Sequence, residues 1–89
     1  MPQIKVPSRY QVPTRGEGQI QVDGGTVKEC IEAAEARYPG FQELILDRKG
    51  ELQRFVRLSL NGGLLASDAL DTPVSADDSI TVTAVVAGG

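Results

Sequence analysis

The chain has 89 residues, 40% of them apolar and 24% charged, with a formal net charge of −3, the size and balance of one small globular domain with no room for a second. Its nine Lys and Arg are scattered rather than clustered, which argues against a nucleic-acid partner. With no His and a single Cys, the chain is excluded from Ser-His-Asp and Cys-His catalysis, from Cys/His zinc sites and from an internal disulfide.

In chain order, Gln3 to Val6 alternates polar and apolar residues with Ile4 and Val6 on one face, and Gln19 to Val22 repeats the pattern with Ile20 and Val22. With turn chemistry at Thr14-Arg15-Gly16-Glu17-Gly18 between them, the two segments predict an antiparallel hairpin. Asp23-Gly24-Gly25 breaks the second strand. Thr26 followed three residues later by Glu29 is a capping box, so a helix begins there. Val27, Cys30, Ile31, Ala34 and Tyr38 then form one apolar stripe of 3.6-residue period, which predicts a helix facing a sheet until Pro39-Gly40 stops it. Phe41 to Leu46 reads as a further helical turn.

Arg54 to Leu60 alternates again, with Val56, Leu58 and Leu60 on one face and Phe55, Arg57 and Ser59 on the other. Asn61-Gly62-Gly63 is a tight-turn signal, and Leu64-Leu65 begins a short returning strand. Residues 66–78 read as a loop. Ser79 to Val86 is the last strand, with Ile80, Val82 and Ala84 inward and Thr81, Thr83 and Val85 outward. The expected architecture is α+β, a mixed four- to five-stranded sheet packed on one main helix. No apolar run is long enough to span a bilayer and the start lacks the pattern of a secretory signal. These readings predict a cytoplasmic protein with no membrane partner, and a monomer is the default.

The candidate chemistry is sparse. Cys30 lies on the inward helical stripe, away from any group that would activate a thiol, and reads as core. Asp77 and Asp78, like Glu32 and Glu35, read as turn formers and solvated faces rather than as an acid-base or metal pair. The glycine pairs lack the Lys and Ser/Thr of a phosphate loop. Phe55 beside Arg57, joined by Thr83 and Val85 of the last strand, forms a candidate docking patch on the outer face.

What remains is the ending, Ala84-Val85-Val86-Ala87-Gly88-Gly89, a strand that runs straight into two glycines. Together with Arg54-Phe55-Val56-x-Leu58-x-Leu60-Asn61-Gly62, the acidic turn and the final strand, it resembles the ThiS/MoaD family of ubiquitin-like sulfur carriers, and among them the CysO type. The resemblance covers essentially the whole chain. It implies a β-grasp domain at residues 1–84 and a flexible Gly-Gly tail at residues 85–89.

It further implies that a partner adenylating enzyme, E1-like and of the MoeB/ThiF type, uses ATP to activate the Gly89 carboxylate. Sulfide or a persulfide then converts the adenylate to a thiocarboxylate, which a synthase, of the pyridoxal-phosphate-dependent kind where the product is cysteine, consumes in making cysteine or another sulfur metabolite. The carrier itself would bind no cofactor or metal and supply no catalytic side chain. Val86, Ala87 and Gly88 would thread into the partner's channel, since the six final residues extend to about 20 Å and glycines keep the thread narrow. The molybdopterin-synthase small subunit, and a modifier conjugated to lysines through Gly89, are the alternatives within the resemblance.

Overall fold

Alternation in the sequence becomes five short strands in the computed structural model, which describes residues 1–85. Strands β1 (Gln3–Lys5) and β2 (Gln19–Gln21) pair antiparallel with Ile4 opposite Ile20, as the hairpin pattern predicts. Helices α1 (Val27–Arg37) and α2 (Gln42–Ile45) follow, then β3 (Val56–Leu60), β4 (Gly63–Leu64) and β5 (Ser79–Ala84). The sheet order is β2-β1-β5-β3-β4. The last strand therefore occupies the middle, parallel to β1 and antiparallel to β3.

The core forms between one sheet face and α1. Ile4, Ile20, Val56, Leu58, Ile80 and Val82 meet Val27, Cys30, Ile31 and Ala34, with Phe41 and Ile45 closing the end near α2. Burying side chains of this size is the main favourable contribution to folding, roughly 1.5–3 kcal/mol each. Tyr38, the last residue of the predicted stripe, is only partly buried and caps the helix. Thr26 Oγ1 accepts from Glu29 N at 3.1 Å as the capping box requires, but Glu29 Oε1 returns to the amide of Gly25 at 2.8 Å rather than to that of Thr26.

Three boundaries differ from the sequence reading. The link between β1 and β2 is more than a turn at residues 14–18: a 3-10 turn at Ser8–Tyr10 precedes it, and the buried Thr14 donates its hydroxyl to the Glu17 carbonyl at 2.9 Å. Strand β4 begins at Gly63, one residue early, because Asn61 and Gly62 with φ of 50° and 87° complete a two-residue reversal. That double positive φ suits Asn-Gly better than any other pair. Strand β5 stops at Ala84 rather than Val86; Ala84 is half-buried, and Val85 keeps one backbone bond to the sheet.

Gly24 has a second role beyond breaking a strand. A Cβ there would lie 2.8 Å from Cys30 N and 2.9 Å from the Glu29 carbonyl carbon, so the chain passes against the start of α1 with no space for a methyl group. Gly24→Ala is expected to lower stability by roughly 1–3 kcal/mol, the usual cost of forcing backbone apart in a packed region, read from urea unfolding; an unchanged midpoint would disprove the close approach.

At the other end of the sheet, Asn61 joins the β3–β4 turn to the start of β5. Its Nδ2 donates to Asp78 Oδ1 at 2.9 Å, its Oδ1 accepts from Ser79 N at 2.9 Å, and Asp78 Oδ2 accepts from Ser75 N at 2.7 Å. The Asn61 amide, then the Ser75 amide, hold the Asp78 carboxyl below its ordinary value. A lowered folded-state pKa contributes stability above the unfolded value near pH 4, and that contribution is lost as pH falls through the folded value. The melting-temperature gap between the parent protein and Asp78→Ala is therefore expected to be widest near neutral pH and to narrow in acid as the pH falls through the lowered folded-state value.

Candidate functional site

Antiparallel pairing brings the end of β5 to the beginning of β3. The register sets Arg57 opposite Thr83 and Val56 opposite Ala84, and one step further Val85 N donates to Phe55 O at 2.7 Å. Alternation then places Phe55, Arg57, Thr83 and Val85 on the sheet face away from α1. The four sequence-predicted patch residues are thus neighbours at the point where the chain leaves the sheet. Phe55 is 46% exposed and Val85 39% exposed, so their apolar surface is open to a partner. The remaining predicted positions, Val86, Ala87, Gly88 and Gly89, lie outside the described residues.

Two cations frame the patch. Arg57 Nη1 donates to Val56 O at 2.9 Å and to Arg54 O at 3.3 Å, which fixes its guanidinium against the strand. The Arg54 guanidinium lies over the Phe55 ring at 5.6 Å, a cation–π contact that holds the ring in place. Leu64 of β4, opposite Ser59, extends the same face and is 71% exposed. Sequence reasoning missed Arg54 and Leu64 as site residues. The alternation that exposes Phe55 was the available signal for Leu64, through its pairing across the Asn61-Gly62 turn.

The other chemical candidates have structural roles. Cys30 is fully buried, and burial, with smaller contributions from the Glu29 and Asp23 carboxylates, pushes its thiol above the ordinary value, so it is a poor nucleophile at neutral pH. Glu35 does not sit on an idle solvated face: its carboxylate accepts from Gly40 N at 3.2 Å and Gln42 N at 2.8 Å, closing the turn into α2. Asp78 belongs to the Asn61 clasp. Among the described residues no group of three or more His, Cys, Asp or Glu could hold a metal ion, and no helix is long and apolar enough to cross a membrane.

A mixed sheet with its last strand central, covered on one side by a single main helix, is the ubiquitin-like β-grasp fold. The chain belongs to the ThiS family, whose model matches residues 9–89. It is similar to the sulfur carrier protein CysO of Mycobacterium tuberculosis, with 32% identity over 89 aligned positions covering 97% of this chain and 96% of the relative. The crystal structure of Mycobacterium tuberculosis CysO superposes with a TM-score of 0.89 at 28% identity, covering 97% of this chain and all (100%) of that one. A chain of the Amycolatopsis orientalis BexX/CysO complex gives 0.90 at 29% identity, with 100% of both chains covered. SAMP1 from Haloferax volcanii shares the fold, with a TM-score of 0.77 at 23% identity over 99% of this chain and 98% of its own.

The exposure of Phe55 separates it energetically from its strand neighbours. Phe55→Ala is expected to cost less than about 1 kcal/mol of stability, whereas Leu58→Ala, three residues on and on the buried face of β3, should cost about 2–5 kcal/mol. Paired urea titrations check this, and equal losses would place Phe55 in the core.

Proposed function

We propose that the protein is a sulfur carrier whose reactive atom is the carbonyl carbon of Gly89. Membership of the ThiS family and likeness to CysO carriers support the carrier role. The observation that carries the finer reading is the anchoring of Val85. The last strand is held between two neighbours, its final described residue is bonded to Phe55, and four residues to Gly89 remain. Four residues span at most about 14 Å, so a partner that grips the patch finds Gly89 within that reach.

In this reading an adenylating enzyme of the E1-like class binds the Phe55, Arg57, Thr83 and Val85 face while Val86, Ala87 and Gly88 enter its channel. A Gly89 carboxylate oxygen attacks the α-phosphorus of ATP and pyrophosphate leaves. Sulfide then attacks the acyl carbon, AMP leaves, and a thiocarboxylate remains. A second partner, a synthase of the cysteine-forming kind, joins the thiocarboxylate sulfur to its substrate, and water then cleaves the acyl–sulfur bond, which leaves the sulfur on the product and returns the Gly89 carboxylate. ATP belongs to the partner, and the carrier contributes no catalytic side chain. The BexX/CysO complex supports the expectation that a carrier of this shape docks on a partner protein.

The test is intact mass after incubation with an E1-like adenylating enzyme, ATP and sulfide. An oxygen-to-sulfur exchange is the expected result; a conjugate of higher mass would favour protein modification, and an unchanged mass would contradict both. Removal of Gly89, or Gly88→Trp, is expected to leave the melting temperature within a degree or two, as terminal changes usually do (roughly under 0.5 kcal/mol), and to abolish the mass shift. A thiocarboxylate formed at the normal rate in either variant would overturn the assignment.

A further inference from the structure

The charges of the molecule are segregated in a way its net charge conceals. All twelve carboxylates of the sequence lie outside the strands: β1 to β5 read QIK, QIQ, VRLSL, GL and SITVTA, with Lys5 and Arg57 as their charged residues and no Asp or Glu. The outer sheet face of a net −3 protein is therefore cationic and neutral. At its β3–β4 end lies a cleft of about 410 Å³ between the residues that lead into β3 and those that follow β4. Leu52, Leu64 and Leu65 supply apolar walls, Arg54 and Arg57 supply the charge, and no lining residue carries a carboxylate.

We propose that this cleft binds an acidic, leucine-rich type of protein segment, with Arg54 and Arg57 reading carboxylates and Leu52, Leu64 and Leu65 receiving the apolar side chains between them. The inference builds on the reading of this face as the docking side of a carrier and names the chemistry of what docks there. Three features favour a protein segment over other anions. Half the lining is apolar, which a free phosphate would leave unused. Three cations on or beside the sheet are too few for a nucleic-acid backbone, whose binding grows with the number of phosphates neutralised. Arg57 is already fixed by two backbone carbonyls and Arg54 by the Phe55 ring, so little side-chain freedom is lost when a carboxylate arrives.

Pairing of this kind acts mainly on encounter rate and on choice of partner. A partner with a basic surface at this position would be rejected, while one with Asp or Glu beside Leu or Phe would be drawn in. The patch is also continuous with the Phe55–Val85 bond, so a segment seated in the cleft abuts the residue from which the chain runs on to Gly89.

The experiment uses the whole, isotope-labelled protein and two synthetic peptides of equal length, one alternating Glu with Leu and one alternating Lys with Leu, followed by amide chemical shifts. The acidic peptide is expected to perturb residues 52–57 and 64–67, with an affinity that falls as salt rises. Arg54→Glu and Arg57→Glu should each weaken it by roughly tenfold, the scale of one close charge pair, and Leu64→Ser should weaken it without changing the salt dependence. An unchanged amide spectrum elsewhere establishes that each variant is folded. Perturbation centred on α1 or on β2, equal binding of the lysine peptide, or no perturbation at all would each overturn the proposal. Because no thiocarboxylate is formed in this titration, it can fail while the sulfur-exchange mass shift succeeds, and the reverse.

Discussion

The structure depends on the placement of β5. It is the last strand in the sequence and the middle strand in the sheet, hydrogen-bonded to β1 on one side and β3 on the other. Pairing Gln3 with Ser79 closes nearly the whole chain into one loop, at an entropic cost that local contacts cannot offset. Ile80 and Val82 supply the compensation, entering the core against residues from both halves of the sequence. The strand cannot be removed without opening two ladders at once, and where both flank it, at Ser79 to Thr81, it is as rigid as the sheet itself.

One-sided burial gives the rest of the molecule its division of labour. With α1 and α2 on one face, the inward strand positions must be apolar, and the outward ones are free of that demand. The composition of those free positions is not random: they hold Gln, Ser, Thr, Lys5 and Arg57, with Phe55 and Val85 at the end nearest the exit of the chain and Leu64 on the β4 edge opposite Ser59. Exposed large apolar residues cost solubility unless a partner covers them. They lie near two ordered guanidinium groups, with the carboxylates held on the loops and helices, which sets this face apart from the one that packs the core.

Much of this was legible in the residues. The Thr26–Glu29 cap, the helical stripe, the Asn61-Gly62 reversal and the outward position of Phe55 follow from local rules that act over a few residues, and each is present. What stayed hidden depends on distant partners. Nothing local to Glu35 says that its carboxylate turns back to the amides of Gly40 and Gln42. Gly24 looks like any turn glycine until the backbone of Cys30 is seen against it. Arg54 precedes the alternating run, and its stacking on Phe55 has no periodic signature. Periodicity reports which face a residue occupies and carries no information about which strand lies beside it, so the parallel β1–β5 pairing was beyond the pattern.

The restraint on β5 is graded along its length. At Ser79 to Thr81 the strand has a neighbour on each side, and the Asn61–Asp78 clasp fixes its start. From Val82 to Ala84 only β3 continues, because β1 ends at Lys5 opposite Thr81. At Val85 a single bond to the Phe55 carbonyl remains. Protein segments open locally in the order of their bonding, so the strand yields from its carboxyl end inward and never from the clasped end. A partner seated on Phe55 sits on the residue that makes the last of these bonds. On the proposed reading, recognition of the body and control of where the chain departs are exercised at one place.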